Sequence, residues 1–401
     1  MHNKVILRNL MLLLMMVVEA VAVTAMGDEV RQDSAQSYLD SIDVALLTCE
    51  PHDEVYSLYG HTAIRVTDKR NDMDVAVNFG LFDSSAKNFA LRFIFGLTDY
   101  RMGISEYRRF LEEYDYYGSG VREQHLNLNN EEKAKFMGAL AEVAKPENIV
   151  YRYNFLYNNC TTRARDLILN AINGKVEYKK TGLQTGEWTF RELVHKKTSS
   201  HRWTSVGNDL LLGVTADFNT DWNEREFLPQ VLMEDFDNAE IVGVDGKKKK
   251  LVDNARWVLP STHPTVINSS SSFPLSPLQT AWVFLIVTAL LRVFLAKYVA
   301  KAEPWFSYSV CCLYAIAGLV LFAMVFSQHP TVRINLQILI FNPLLFFLAF
   351  PMKKWSWRSH VIVACILLFF IGNIVQCYAE GMNVMAVALL LMAITVKAIK
   401  N

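Results

Sequence analysis

The spacing of apolar positions divides the chain into three regimes. After Lys4 and Arg8, an apolar run extends from Leu10 to about Ala25. That is the pattern of a signal peptide or signal anchor over residues 1–26, and Val23-Thr24-Ala25 has the small-x-small form of a cleavage site. From residue 27 to 267 the periods are those of a globular domain. Short alternating runs at 44–48, 62–66 and 74–80 predict strands. A 3.6-residue repeat predicts helices over 131–144, capped by Asn130, and over 187–195, while 203–212 is ambiguous. Asp245-Gly246 within 241–252 predicts a hairpin, its Lys247 to Lys250 run being a solvated turn. A Ser-rich linker covers 268–277.

Beyond it lie five apolar segments, at 278–296, 306–327, 335–351, 360–378 and 383–397. Each is long enough, the last marginally, to cross a hydrocarbon layer of ~30 Å. The expected architecture is therefore α+β in the exported domain, followed by an all-α five-helix transmembrane bundle over 278–401. Basic residues separate into alternate loops: Lys297 and Lys301, then Lys353, Lys354 and Arg358, then Lys397 and Lys400, against Arg333 alone on the other side. The positive-inside rule then places the C-terminus in the cytoplasm and the polar domain in the periplasm, in a multi-pass protein of the bacterial inner membrane.

Composition adds mostly exclusions. Lys and Arg total 40, as do Asp and Glu, so the net charge is +0 and nucleic acid is not implied as a partner. Of six cysteines, Cys311, Cys312, Cys365 and Cys377 lie in apolar runs, leaving Cys49 and Cys160 in the polar region. No CxxC or HExxH spacing occurs, so neither a metal nor another cofactor is expected.

The candidate chemistry centres on Cys160. Asn158 and Asn159 are cap-type residues, Leu167, Ile168, Ala171 and Ile172 follow at helical spacing, and Asn173-Gly174 supplies a stop. Cys160 therefore opens a helix, where free backbone N–H groups and the dipole favour a thiolate, with Arg163 and Arg165 adding positive charge. His61 follows Gly60 at the entrance of the 62–66 strand. A Cys at a helix start facing a His on a sheet is the papain-like arrangement, here in reversed chain order, as in circularly permuted members of that fold. His52 is a second possible base. Asn78, on the next strand, is the preferred third residue to orient the imidazole, with Asp83, Tyr59 and Tyr157 as competitors. Tyr59, Asn159, Arg163, Arg165 and Asp166 are supporting or substrate-binding candidates, Arg165 and Asp166 reading most simply as an ion pair. A disulfide between Cys49 and Cys160 is the reading that would remove the thiol chemistry. The aromatic tract over 82–117 suits either a core or a wall for an acyl chain. Arg292, Asn335, Gln337, Asn342, Asn373 and Gln376 are the polar residues within the apolar segments, most of them near segment ends.

The pieces Leu47-Thr48-Cys49, Tyr59-Gly60-His61-Thr62-Ala63-Ile64-Arg65-Val66, Asn78-Phe79-Gly80, Tyr151-Arg152-Tyr153-Asn154-Phe155, Asn159-Cys160-Thr161-Thr162-Arg163-Ala164-Arg165-Asp166 and Phe227-Leu228-Pro229 together resemble Lnb-type lipoprotein N-acyltransferases of Bacteroidota. The resemblance spans nearly the whole chain, membrane region included. It implies a permuted papain-like exported domain and transfer of a fatty acyl chain, through a cysteine thioester. The donor it implies is a phospholipid, and the acceptor is the α-amino group of the diacylglyceryl-cysteine of a lipoprotein. The rival readings are a membrane-bound cysteine peptidase or amidase acting on cell-wall peptides, and a non-enzymatic envelope protein.

Overall fold

The computed structural model describes residues 37–52, 54–83, 85, 87–262, 273–350 and 356–393. The predicted signal segment, the Ser-rich start of the linker, and Lys353, Lys354, Lys397 and Lys400 lie outside the described residues. The chain divides into two units. The first comprises Met1–Phe89, Thr98–Trp188 and Thr220–Ile267; the second comprises Ala90–Leu97, Thr189–Asn219 and Asn268–Asn401. Two segments from within 27–267 thus belong to the second unit.

The first unit mixes sheet and helix. Its strands are β1 (Ile42–Cys49), β2 (His61–Asp68), β3 (Met73–Leu81), β4 (Asp99–Glu106), β5 (Val121–Leu126), β6 (Val150–Arg152), β7 (Lys175–Glu177), β8 (Glu240–Val242), β9 (Lys248–Lys250) and β10 (Val252–Leu259). Seven form an antiparallel sheet in the order β10-β5-β1-β2-β3-β4-β6, and β7-β8-β9 form a small second sheet. The helices that matter for the site are α1 (Tyr107–Tyr116), α2 (Asn130–Ala144), α3 (Cys160–Leu169) and α4 (Pro229–Asp237).

Period-2 alternation divides the large sheet between two cores. Val44 and Leu46 of β1, with Ile64 and Val66 of β2, pack against Phe136 and Leu140 of α2, Ala164 and Ile168 of α3, and Leu232 and Phe236 of α4. Leu47 and Cys49, with Ala63 and Ala76, face Tyr107, Phe110 and Tyr114 of α1. That part of the aromatic tract is therefore core. Because β1 is covered on both faces, it is apolar almost throughout rather than alternating.

Local chemistry sets the helix starts. The cap of α2 is Asn129, not Asn130: its Oδ1 accepts the Glu132 N–H at 2.9 Å, and Glu132 Oε2 accepts the Asn129 N–H at 2.9 Å. With two asparagines in a row, the extended backbone of Asn129 decides which one caps. The Lys247 to Lys250 run is not simply a solvated turn. Its last three residues form β9, and Lys249 reaches the buried Glu132 at 2.9 Å.

The second unit is helical. Pro277–Tyr298 and Glu303–Met324 are each 22 residues long, with mean hydropathies of 1.9 and 2.0. At 1.5 Å per residue, each is ~33 Å long, enough to cross a bilayer core. Trp357–Gly372 and Met382–Ala393 are shorter apolar helices. The third predicted span, 335–351, is not a continuous helix. It holds a 3₁₀ turn, Leu336–Leu339, and a short helix, Leu345–Leu348. Asn335 and Asn342 interrupt it by accepting local backbone N–H bonds, from Gln337 at 3.0 Å and Leu344 at 2.9 Å, and Pro343 follows.

The polar residues around this break turn inward. Gln337 donates to Asp209 O at 2.8 Å, Asn335 to Leu210 O at 2.8 Å, and Gln376 to Leu212 O at 3.1 Å. They anchor Arg202–Leu211, the segment whose sequence is ambiguous and which is helical here. The preceding helix, Phe190–Thr198, carries Arg191, only 2% exposed, whose guanidinium pairs with Asp209 and Asp217 at 2.8 Å each. Irregular backbone among apolar helices survives only with such internal partners.

Candidate functional site

The site lies where β2 and β3 meet the start of α3. Cys160 is the first residue of α3. Asn159 is its N-cap, and its Oδ1 accepts the N–H groups of Thr161 and Thr162, both at 2.9 Å. Thr162 closes the capping box by accepting the Asn159 N–H at 2.9 Å. The other end of the Asn159 amide donates to Phe155 O at 3.0 Å and Phe227 O at 2.9 Å. One buried asparagine therefore ties the helix start to two loops. The rings of Tyr59, Phe155 and Phe227 pack edge to face around that junction, at 4.7 and 5.7 Å.

His61 opens β2 directly opposite Cys49 on β1. Gly60 before it has φ +78°, and a Cβ there would meet Cys49 O at 2.7 Å, so the turn that delivers His61 requires glycine. His61 Nε2 lies 3.0 Å from Asn78 Oδ1, which also accepts the Gly80 N–H at 2.7 Å. A backbone N–H can only donate, so the amide oxygen faces both groups, and Nε2 must carry the proton. Nδ1 is then left as the basic nitrogen. The imidazole lies against Gly80, where a Cβ would meet its Cε1 at 2.8 Å.

The Cys160 thiol and the His61 imidazole are hydrogen-bonded neighbours. Burial raises the thiol's pKa, but the His61 charge and hydrogen bond, the Thr62 backbone N–H and the Thr161 hydroxyl outweigh it, lowering the value to about 7. For His61, burial lowers the pKa, while the Cys160 thiolate and the Asn78 bond raise it; the net direction is upward. Both shifts run in the direction that favours a thiolate beside an imidazolium. Cys49 and Cys160 are both free thiols, so the disulfide reading does not hold here. Burial holds the Cys49 thiol far above its ordinary range.

Other predicted residues take different places. Arg163 stacks over the Tyr151 ring at 4.1 Å and donates to Asn158 Oδ1 at 2.9 Å. Tyr151 in turn donates its hydroxyl to Phe79 O, joining α3 to the strand that carries Asn78. Arg165 pairs with Asp166 at 2.8 Å and with the buried Glu226 at 3.2 Å. Asp83 accepts from Ser85 in its own turn, and His52 stacks on Tyr117 at 4.0 Å. The imidazole beside the sulfur is that of His61.

Sequence reasoning missed several groups around the site: Gly80, the Thr62–Thr161 pair, and the two buried acids Glu226 and Asp235. Glu226 is 0% exposed and Asp235 1%. Their outer oxygens are held by Arg165 at 3.2 Å and Gln184 at 2.8 Å. Glu226 Oε1 and Asp235 Oδ1 have no hydrogen-bond partner among the described residues, and each carboxyl shifts the other's ionisation. Burial is the largest cause of the upward shift in both acids, and the neighbouring Asp235 carboxyl adds to it at Glu226.

A stability prediction follows from the sign of that shift. Glu226 is raised from 4.5 to about 8 in the folded chain, so its contribution is fully present below about 4.5 and is lost as pH rises through about 8. Thermal unfolding temperatures should therefore fall across that window. Glu226→Gln should flatten the decline, and an unchanged slope in that variant would show the acid is not its source.

Comparison with known proteins gives two family matches. Residues 29–196 match the model of the Lnb N-terminal periplasmic domain, and residues 268–401 match that of the Lnb transmembrane domain. No curated protein and no solved structure matches.

Proposed function

The chain belongs to the Lnb family, a family of lipoprotein N-acylation, and from that premise we propose that Cys160 is the nucleophile of a two-step acyl transfer. The observation that supports the reading best is the placement of Cys160 as the first residue of α3 beside His61, itself oriented by Asn78 at 3.0 Å. In the first step, Cys160 Sγ attacks an ester carbonyl of a phospholipid. The carbonyl pair moves to oxygen, and the backbone N–H of Cys160, which the Asn159 cap does not use, offers a donor to that oxyanion. When the tetrahedral adduct collapses, the C–O bond breaks. The His61 proton passes from Nδ1 to the leaving alkoxide, and lysophospholipid departs from an acyl-Cys160 thioester.

In the second step, the α-amine of the lipoprotein's diacylglyceryl-cysteine attacks the thioester. His61, now neutral, takes a proton from the nitrogen, the C–S bond breaks, and the thiolate–imidazolium pair returns. Tyr59, Asn159 and Arg163 hold the walls of the site rather than the reacting atoms, and Arg165 and Asp166 brace α3 from its outer face. The two long apolar helices fit a membrane protein with a periplasmic N-terminal part. Both substrates are lipids anchored in the same bilayer, which fits an inner-membrane location with the C-terminus in the cytoplasm.

The test compares lipoprotein N-termini from cells with and without this protein by mass spectrometry. Loss of one amide-linked acyl chain is the expected result. Unchanged lipoproteins with altered muropeptides would instead support a cell-wall peptidase or amidase.

A further inference from the structure

Two buried hydroxyls lie in a chain that ends at the sulfur. Thr62 and Thr161 are both fully buried, and Thr62 Oγ1 donates to Thr161 Oγ1 at 3.2 Å. Thr161 Oγ1 is 3.8 Å from Cys160 Sγ. The Thr161 backbone N–H is already taken by Asn159 Oδ1, so the side chain's contact with sulfur is separate from the cap.

Proton accounting sets the direction of this chain. Thr62 supplies its hydroxyl proton to the Thr161 oxygen. The Thr161 proton then needs an acceptor of its own, because a buried hydroxyl left unmatched is costly. Cys160 Sγ, at 3.8 Å, is an acceptor within reach. We infer that Thr161 donates a hydrogen bond to the Cys160 thiolate, and that Thr62, acting through Thr161, is a positioning residue that orients and polarises that donor. A hydroxyl that accepts one hydrogen bond donates a stronger one.

This inference rests on the reading of Cys160 as a nucleophile and adds a role within it. A donor at sulfur favours the thiolate over the thioester. It therefore assists the second step most, where the thiolate must leave. Thr161→Val should slow release of the acyl group more than its loading.

The experiment follows the pH dependence of Cys160 alkylation by iodoacetamide in the full chain in detergent, read on the Cys160 peptide by mass spectrometry. Thr161→Val is nearly isosteric and lacks the donor; its midpoint should rise by about one pH unit, the scale of one hydrogen bond to a charged group. Thr161→Ser should restore the wild-type midpoint, and Thr62→Val should give a smaller rise. An unchanged midpoint in folded Thr161→Val would overturn the inference. If that variant does not fold, Thr62→Val decides, and no rise there would overturn it equally. These midpoints do not depend on which acyl substrate is used. Failure of the acyltransferase reading would appear separately, as no acyl transfer by the wild-type protein.

Discussion

Cys160→Ser should lower lipoprotein N-acylation by at least ~10³-fold, with the protein still folded. The substitution is nearly isosteric at a half-buried helix start, and the Asn159 cap uses the N–H groups of Thr161 and Thr162, not the sulfur. Unfolding temperature should therefore barely move. What is lost is ionisation. The surroundings lower a thiol to about 7, and a hydroxyl has a far higher pKa than a thiol. His61→Ala should cost about as much, because the thiol then keeps the burial penalty without its counter-charge. Residues that work as a unit are not additive, so the double variant should be little worse than either single one. Initial rates with a phospholipid donor and a diacylated lipopeptide acceptor would check this. A double variant as poor as the product of the two single losses would show independent roles.

Gly80→Ala should reduce activity by ~10²-fold while leaving the fold intact, the loss expected when a catalytic group is displaced by a fraction of an ångström to an ångström. The backbone at Gly80 does not require glycine. The obstacle is the imidazole: the new Cβ would lie 2.8 Å from His61 Cε1 and 3.2 Å from Asn78 Oδ1. Contact distances that short force His61 away from both Asn78 and Cys160. The alkylation midpoint of Cys160 should then move up from about 7 towards that of an ordinary thiol, ~8.5. Wild-type rates and an unmoved midpoint in Gly80→Ala would mean that the imidazole can work from another position.

Much of this site was legible in the chain because its signals are local. A pair of asparagines before a helical repeat marks the start of α3, and a glycine before an alternating run marks the entry of β2. Asn78 could only be preferred over Asp83, Tyr59 and Tyr157. Choosing it needed the β2–β3 register, which pairs Asn78 with Ala63 near the entrance of β2. Glu226 and Asp235 carry no such mark: two acids nine positions apart read as surface residues until the fold encloses both.

The membrane region shows the opposite failure. Counting apolar residues finds 335–351 long enough to span a bilayer, but it does not see that Asn335 and Asn342 bind their own backbone. Nor does it see that Arg191 pairs with both Asp209 and Asp217, which lets a segment that reads as part of a polar domain pack within the second unit.

Intact-mass measurement of the purified chain after brief exposure to phospholipid, with no lipoprotein present, tests the central claim most directly. The account predicts one added fatty acyl group, located on the Cys160 peptide, labile to hydroxylamine and discharged when a diacylated lipopeptide is supplied. A chain that transfers acyl groups to the lipopeptide while Cys160 stays unmodified, or is modified only at another residue, would contradict it.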